Sequence, residues 1–121
     1  MVFKKDLDLQ RKWVKLLYFL KGSSDKRPQG LNGVLFLVGV QELGQGVRNY
    51  SKEEKQDLIH IGICKVLSLD GYYRLEGLDE EGWPHWTLMK ELPKLSLPEQ
   101  ERLLKIQAIE YFESEIGVIL A

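Results

Sequence analysis

The sequence predicts a mainly α-helical chain of the α+β class, with about four helices packed around one core and a single β-hairpin between the third and fourth helices. Apolar residues recur at helical spacing in several segments, and two segments begin with a serine three residues before a glutamate, the spacing of a capping box. The aromatic stretch 72–89 instead alternates around an acidic, glycine-containing turn. With 121 residues, 44% of them hydrophobic, the chain is predicted to form one domain over 1–121.

The first predicted helix covers residues 7–21, which have one apolar side and one side rich in lysine and arginine. Its apolar side consists of Trp13, Leu16, Leu17 and Leu20. Gly22 is expected to end the helix, and residues 23–30, SSDKRPQG, are expected to form a polar loop because they are rich in turn-forming residues.

Residues 31–43, LNGVLFLVGVQEL, are compatible with a helix buried on most sides or with a buried strand, because a short continuous apolar run has no diagnostic period. The helix is favoured, since the segment is longer than most strands and ends at Gly44 and Gly46. Gly39 inside the segment either allows another helix to approach closely or marks the strand alternative.

The third predicted helix covers residues 51–69 and begins with the capping box of Ser51 and Glu54. Glu53 and Glu54 suit the positive end of the helix dipole. A broad apolar side follows, and Asp70-Gly71 is expected to close the segment.

The fourth predicted helix covers about 99–115, after the Ser96–Glu99 capping-box spacing with Pro98 in the first turn. The apolar tail IGVILA, residues 116–121, is expected to dock against the core.

Residues 72–89 predict a two-stranded hairpin, because Tyr73 and Leu75 alternate with polar residues before the chain breaks at GLDEEG. The loop is expected to have about six residues. Pro84 is expected at an edge or near the start of a strand, because proline cannot donate a ladder hydrogen bond.

Net charge, the length of the apolar runs and the cysteine count limit which classes of partner and which cellular compartment are expected. The net charge is −1, so no large field attracts nucleic acid. The longest apolar run, VLFLVGV at 34–40, is far shorter than the ~20 residues of a membrane helix, and the N-terminal sequence lacks the apolar region of a secretory signal. The single cysteine, Cys64, cannot form an internal disulfide. We therefore expect no nucleic-acid partner, no membrane association and a cytoplasmic location.

A metal site is the weaker of two functional hypotheses. His60 and Cys64 are four residues apart on the third helix, with Asp57 one turn earlier, so these side chains share one side of that helix. With His85 from the hairpin as a fourth, they offer ligands to a zinc-like divalent metal. The alternative is that Cys64 is a small buried apolar residue and His60 a hydrogen-bonded histidine on the side of the helix. Apart from the zinc-like metal we expect no cofactor. Glu42, Glu110, Glu113 and Glu115 suggest a carboxylate site, but they lack the repeated Glu-x-x-His motif.

The leading hypothesis is a non-enzymatic protein-interaction or self-assembly module, because the sequence lacks nucleotide-binding, serine-hydrolase and Cys-x-x-Cys motifs. Trp83 and Trp86 are three apart, which in an extended strand places them on opposite faces, so that one can cover the core while the other faces outward. The alternative is that both rings help to bury the core, with Pro84 bending the strand to allow it. The residues expected to contact a protein partner, or a second copy in a homodimer, are Tyr72, Tyr73, Trp83, His85 and Trp86. The alternative is a metal- or small-ligand-binding enzyme that uses Asp57, His60, Cys64 and His85.

Overall fold

The computed structural model describes residues 3–21, 30–46 and 48–120, and within them it shows four α-helices and one antiparallel hairpin between the third and fourth helices. This confirms the predicted fold class. The elements are α1 (Phe3–Lys21), α2 (Gly30–Leu43), α3 (Lys52–Ser68), β1 (Tyr73–Leu78), β2 (Pro84–Leu88) and α4 (Leu97–Tyr111). The predicted stop at Gly22 and nearly all of the polar loop 23–30 lie outside the described residues.

Helix α1 starts earlier than the predicted 7–21, at Phe3, and ends at Lys21 as predicted. Its apolar side packs inward: Trp13 and Leu16 are buried, and Leu17 and Leu20 pack against them half-buried. Its opposite side is exposed.

The segment 31–43 is a helix, as favoured from its length and its glycine stop. Helix α2 covers Gly30–Leu43, and the Gly44 amide donates to the Val40 carbonyl at 3.1 Å. At 100° per residue, Val34 and Val38 lie on the opposite side of α2 from Phe36 and Leu43. Apolar residues all round are typical of a helix buried on more than one side.

Helices α2 and α3 cross at two glycines. A Cβ atom on Gly39 would overlap the Leu58 carbonyl oxygen of α3, and a Cβ on Gly62 would overlap the Leu35 carbonyl oxygen of α2. Position 35 of α2 lies against position 62 of α3, and position 39 of α2 lies against position 58 of α3. The two helices therefore run antiparallel. Gly39 therefore has the close-approach role considered from the sequence, and Gly62 has the same role on α3.

Both predicted capping boxes are present. Ser51 Oγ accepts from the Glu54 amide at 3.1 Å, and the Ser51 amide donates to Glu54 Oε1 at 2.9 Å. Ser96 and Glu99 make the same reciprocal pair at 3.3 and 3.1 Å. Helix α3 accordingly begins at Lys52, close to the prediction.

Helix α4 differs from the predicted 99–115 at both ends. It begins at Leu97, directly after the Ser96 cap, with Pro98 in the first turn. After Tyr111 the chain widens into a π-helical turn over Phe112–Ile116, which ends at left-handed Gly117 with φ of 86°. Leu120 of the tail is buried in the core and Val118 packs against it, so docking is confirmed for these two residues, whereas Ile119 is 88% exposed.

The hairpin pairs Tyr73 with Leu88, Leu75 with Trp86, and Leu78 with Pro84. Pro84 is the first residue of β2, where proline was predicted to lie. The loop between the strands is 79–83, slightly shorter than predicted, because 77 and 78 of the GLDEEG segment belong to β1. A β-bulge places Glu76 as an extra residue between Leu75 and Gly77.

Buried residues form two clusters on either side of α2. The large cluster joins α1, α2, α3, α4 and the tail, and contains Trp13, Leu16, Val34, Leu35, Val38, Val66, Ala108, Ile109, Tyr111, Phe112 and Leu120. The small cluster contains Leu43, Tyr50, Leu58 and Ile61, with Phe36, Val40 and Trp83 packed against it. The hairpin thus contacts the core through the small cluster.

Candidate functional site

A cleft of about 500 Å³ lies between the first half of α3 and the loop end of the hairpin. Helix α3 forms one wall, and β2 with the preceding loop forms the other. The lining residues are Glu54, Asp57, His60, Ile61, Asp79, Glu81, Trp83, Pro84, His85 and Trp86. Aromatic rings, two histidines and four carboxylates therefore meet in one concave surface, which is the usual shape of a binding site.

The hairpin loop is organised around Asp79. Its Oδ1 accepts from the amides of Glu81 and Trp83, both at 2.9 Å, and its Oδ2 lies 3.0 Å from His85 Nε2. The bond with His85, followed by those with the backbone amides, lowers the pKa of Asp79. Asp79 is thus ionised at neutral pH, and it fixes the two cleft residues Trp83 and His85 relative to each other.

The helical wall is fixed by the α3 capping box. The Ser51 amide lowers the pKa of Glu54, and Arg48, whose Nη2 is 3.3 Å from Glu54 Oε2, adds to this effect. Asp57 and His60 follow at a spacing of three residues, which places them on one side of the helix. Both side chains are exposed along the cleft.

The five residues predicted to contact a partner separate into two groups. Trp83, His85 and Trp86 line the cleft, and the His85 side chain is 62% exposed. Tyr72 and Tyr73 do not line it: the Tyr72 ring lies 4.4 Å from Lys90 Nζ, and Tyr73 pairs with Leu88 at the other end of the hairpin.

Both tryptophans are half-buried and line the same cleft, so they do not lie on opposite faces as they would in a regular strand. The reason is that Trp83 lies in the loop before β2, where strand alternation does not apply. Trp83 also packs on the small cluster. The Trp86 ring nitrogen is buried without a hydrogen-bond partner in the part of the chain that the structure describes.

The four predicted metal ligands are not placed as a set. Asp57, His60 and His85 line the cleft, whereas Cys64 is buried, with its Sγ 3.6 Å from His60 Nε2. Burial raises the pKa of Cys64 to about 11, so the thiol is protonated at neutral pH. Among the described residues, no three His, Cys, Asp or Glu side chains could hold a metal ion.

The carboxylates of α2 and the C-terminal segment are paired with lysines. Lys65 Nζ lies 3.0 Å from Glu115 and 3.8 Å from Glu42, and Lys12 Nζ lies 3.1 Å from Glu113. The Tyr111 hydroxyl donates to Glu42 at 2.8 Å, and burial together with this bond raises the pKa of Tyr111. Lysine ammonium groups therefore pair with three of the four carboxylates considered for this site, Glu42, Glu113 and Glu115.

Several cleft residues were not identified as site residues from the sequence. The acidic segment that includes Asp79 and Glu81 was recognised only as the turn of the hairpin, and Glu54 only as a capping residue. The signal available for Asp79 was its position three residues before Gly82, a spacing typical of turns stabilised by an aspartate side chain. No local pattern indicated that Ile61 and Pro84 would line the same cleft.

Comparisons with protein-family models, with curated proteins and with solved structures each returned no match. Among the described residues, none of the helices has the length and apolar character needed to cross a membrane.

Proposed function

We propose that this protein is a non-enzymatic protein-interaction module that binds a basic segment of a partner protein in the cleft between α3 and the hairpin. The observation that carries the proposal is the combination of groups in the lining: four carboxylates and two tryptophans, with no lysine or arginine among the described lining residues. Arg48 pairs with Glu54 beside this surface, and the other three carboxylates still give the cleft an excess of negative charge.

A lysine or arginine side chain suits this cleft for two reasons. The apolar stem of such a side chain packs on aromatic and aliphatic surface, and its cation is attracted to the face of a tryptophan ring. The low pKa of Asp79 and of Glu54 keeps both carboxylates charged at neutral pH. Charge complementarity of this kind raises association rates and selects basic partners over acidic ones.

Binding is favoured over catalysis because the groups in and beside the cleft whose pKa values are shifted are already engaged. Asp79 accepts three hydrogen bonds within the hairpin, Glu54 completes a helix cap, and the buried Cys64 thiol is protonated. A general base or nucleophile must be available to the substrate. The single cysteine supports a reducing compartment such as the cytoplasm for this function.

The test uses a fluorescein-labelled octa-arginine peptide as the probe, with fluorescence anisotropy as the readout at low salt. Asp57→Asn/Glu81→Gln removes two charges from the cleft without touching the Asp79 or Glu54 networks. Because an ion pair is worth up to about 1 kcal/mol, we expect the double variant to weaken binding about tenfold.

The matched control is Glu53→Gln/Glu91→Gln, which changes the net charge equally at exposed positions outside the cleft lining. We expect this control variant to bind the peptide with an affinity within twofold of wild type. Equal losses for the two double variants would show attraction to net charge alone and would overturn the proposal, as would failure of the wild-type protein to bind the peptide.

A further inference from the structure

Strand β1 has one edge without a strand partner in the described part of the chain, because the sheet has two strands. The Met89 amide donates to the Tyr72 carbonyl at 2.8 Å, so that carbonyl points toward β2. Peptide groups alternate in direction along a strand, so the amides and carbonyls of Tyr73 and Leu75 point to the outer edge. Arg74, Leu75 and Glu76 are exposed there, and such an edge can pair with another chain.

We propose that β1 pairs antiparallel with β1 of a second copy around a two-fold axis at Leu75, which joins the two hairpins into a four-stranded sheet. An interface with two-fold symmetry uses the same residues from both copies. In this register Arg74 lies opposite Glu76 of the second copy, and Glu76 lies opposite Arg74 of the second copy. Two cross-strand pairs of opposite charge result.

The charge pattern selects this register over its neighbours. Arg74 pairs with Thr87 in the hairpin, and the Thr87 hydroxyl donates to the Glu76 carboxylate, so both charged residues lie on the polar face of the sheet. An axis at Arg74 would place two arginines opposite each other, and an axis at Glu76 would do the same with two glutamates. Like charges in direct opposition destabilise strand pairing.

The apolar face of the hairpin supports the same axis. Leu75 lies on the face that carries Trp86 and Pro84, yet it is 47% exposed, and Leu78 on the same face is 65% exposed. Pairing at the Leu75 axis brings the two Leu75 side chains together and removes apolar surface from water. The bulge at Glu76 limits the length of regular pairing, so we expect a reversible, concentration-dependent dimer.

Charge reversal on the full chain tests the register, with sedimentation velocity over a range of protein concentrations as the readout. Arg74→Glu places glutamates opposite each other on both sides of the axis, and Glu76→Arg does the same with arginines. We expect each single variant to weaken dimerisation at least about tenfold. The double variant Arg74→Glu/Glu76→Arg restores opposite charges, and we expect its dimerisation constant within about threefold of wild type.

A mixture of the two single variants gives the sharpest result. The Arg74→Glu chain then faces the Glu76→Arg chain with opposite charges on both sides of the axis, so a heterodimer should form although neither chain dimerises alone. Thermal unfolding checks that each variant is folded. A monomeric wild-type protein at high concentration would overturn the proposal, and so would single variants that dimerise like wild type.

This proposal is independent of the cleft, because Arg74 and Glu76 do not line it. Octa-arginine binding is therefore expected to be equal in wild-type protein and in the double variant Arg74→Glu/Glu76→Arg, which has the same net charge.

Discussion

The two sides of α2 are closed in different ways. On the side of Val34 and Val38, the large cluster is covered by α1, α4 and the docked tail, so residues from both ends of the chain meet there. On the side of Phe36 and Leu43, the small cluster is completed by Tyr50 and Trp83, which project from a connection and from the hairpin loop.

This difference bears on the proposed binding, because the small cluster and the cleft share Ile61 and Trp83. A group that binds in the cleft contacts residues that also hold the small cluster together. The large cluster shares none of its members with the cleft. Regions closed by few apolar contacts open more easily than the rest of a domain, so the small cluster is the side on which binding and local stability are expected to be coupled.

The largest expected effect breaks both sides at once. Gly39→Ala adds a Cβ that overlaps the Leu58 carbonyl oxygen, so α2 and α3 must separate along their whole contact. We expect the free energy of unfolding to fall by about 3 kcal/mol or more, the upper range for overpacking. Urea unfolding followed by circular dichroism measures it. Gln41→Ala on the exposed side of α2 is the control and should lie within about 0.5 kcal/mol of wild type, whereas an unchanged Gly39→Ala protein would contradict the close crossing.

A matched pair of leucine truncations compares the two sides directly. Leu16 is completely buried in the large cluster, and Leu43 lies in the small cluster with slight exposure. We expect Leu16→Ala to lower the free energy of unfolding by about 3 kcal/mol and Leu43→Ala by about 2 kcal/mol, because a less enclosed site collapses around the lost volume more easily. Equal losses in urea unfolding would show that the small cluster is as tightly closed as the large one.

The smallest expected effect is a difference in the pH at which the two sides of α2 respond to acid. The pKa of Asp79 is lowered in the folded protein, so its carboxylate stabilises the folded hairpin above the ordinary aspartate pKa of about 4, and this contribution is lost as pH falls through the lower folded pKa. We expect the Trp83 indole NMR signal to shift on acidification below pH ~4, before that of Trp13 in the large cluster.

Asp79→Asn is the control for this titration, because an asparagine side chain has no carboxyl group to protonate. The Trp83 signal of this variant should lack the acid-dependent step. If Trp13 and Trp83 shift together in the wild-type protein, acid unfolds the two sides as one unit, and the comparison between them fails.

Local features of the fold were predictable from the sequence because their causes lie within a few residues. Ser51 with Glu54, and Ser96 with Glu99, specify two helix starts through side-chain bonds that span three residues. The length of segment 31–43 and its terminal glycine were sufficient to favour a helix over a strand. The bulge at Glu76 was not predicted, although Gly77 inside a strand is a weak signal for one.

The features that escaped prediction depend on residues far apart in the chain. The Tyr111–Glu42 bond joins positions separated by 69 residues, and no spacing in the sequence indicates which carboxylate would receive the hydroxyl. Trp83, His85 and Trp86 were identified as candidates, but their common cleft with Glu54 and Asp57 requires the hairpin to fold back onto α3. Glu42, Glu113 and Glu115 were considered for a carboxylate site without their lysine partners for the same reason.

The glycine crossing of α2 and α3 also bears on the order in which the molecule folds. These helices are neighbours in sequence, so their contact closes a short loop, whereas the Lys12–Glu113 pair that links α1 to the C-terminal segment closes 101 residues. Local contacts form faster than distant ones. We therefore expect the helical hairpin of α2 and α3 to form first, with the two ends of the chain closing the large cluster around it last.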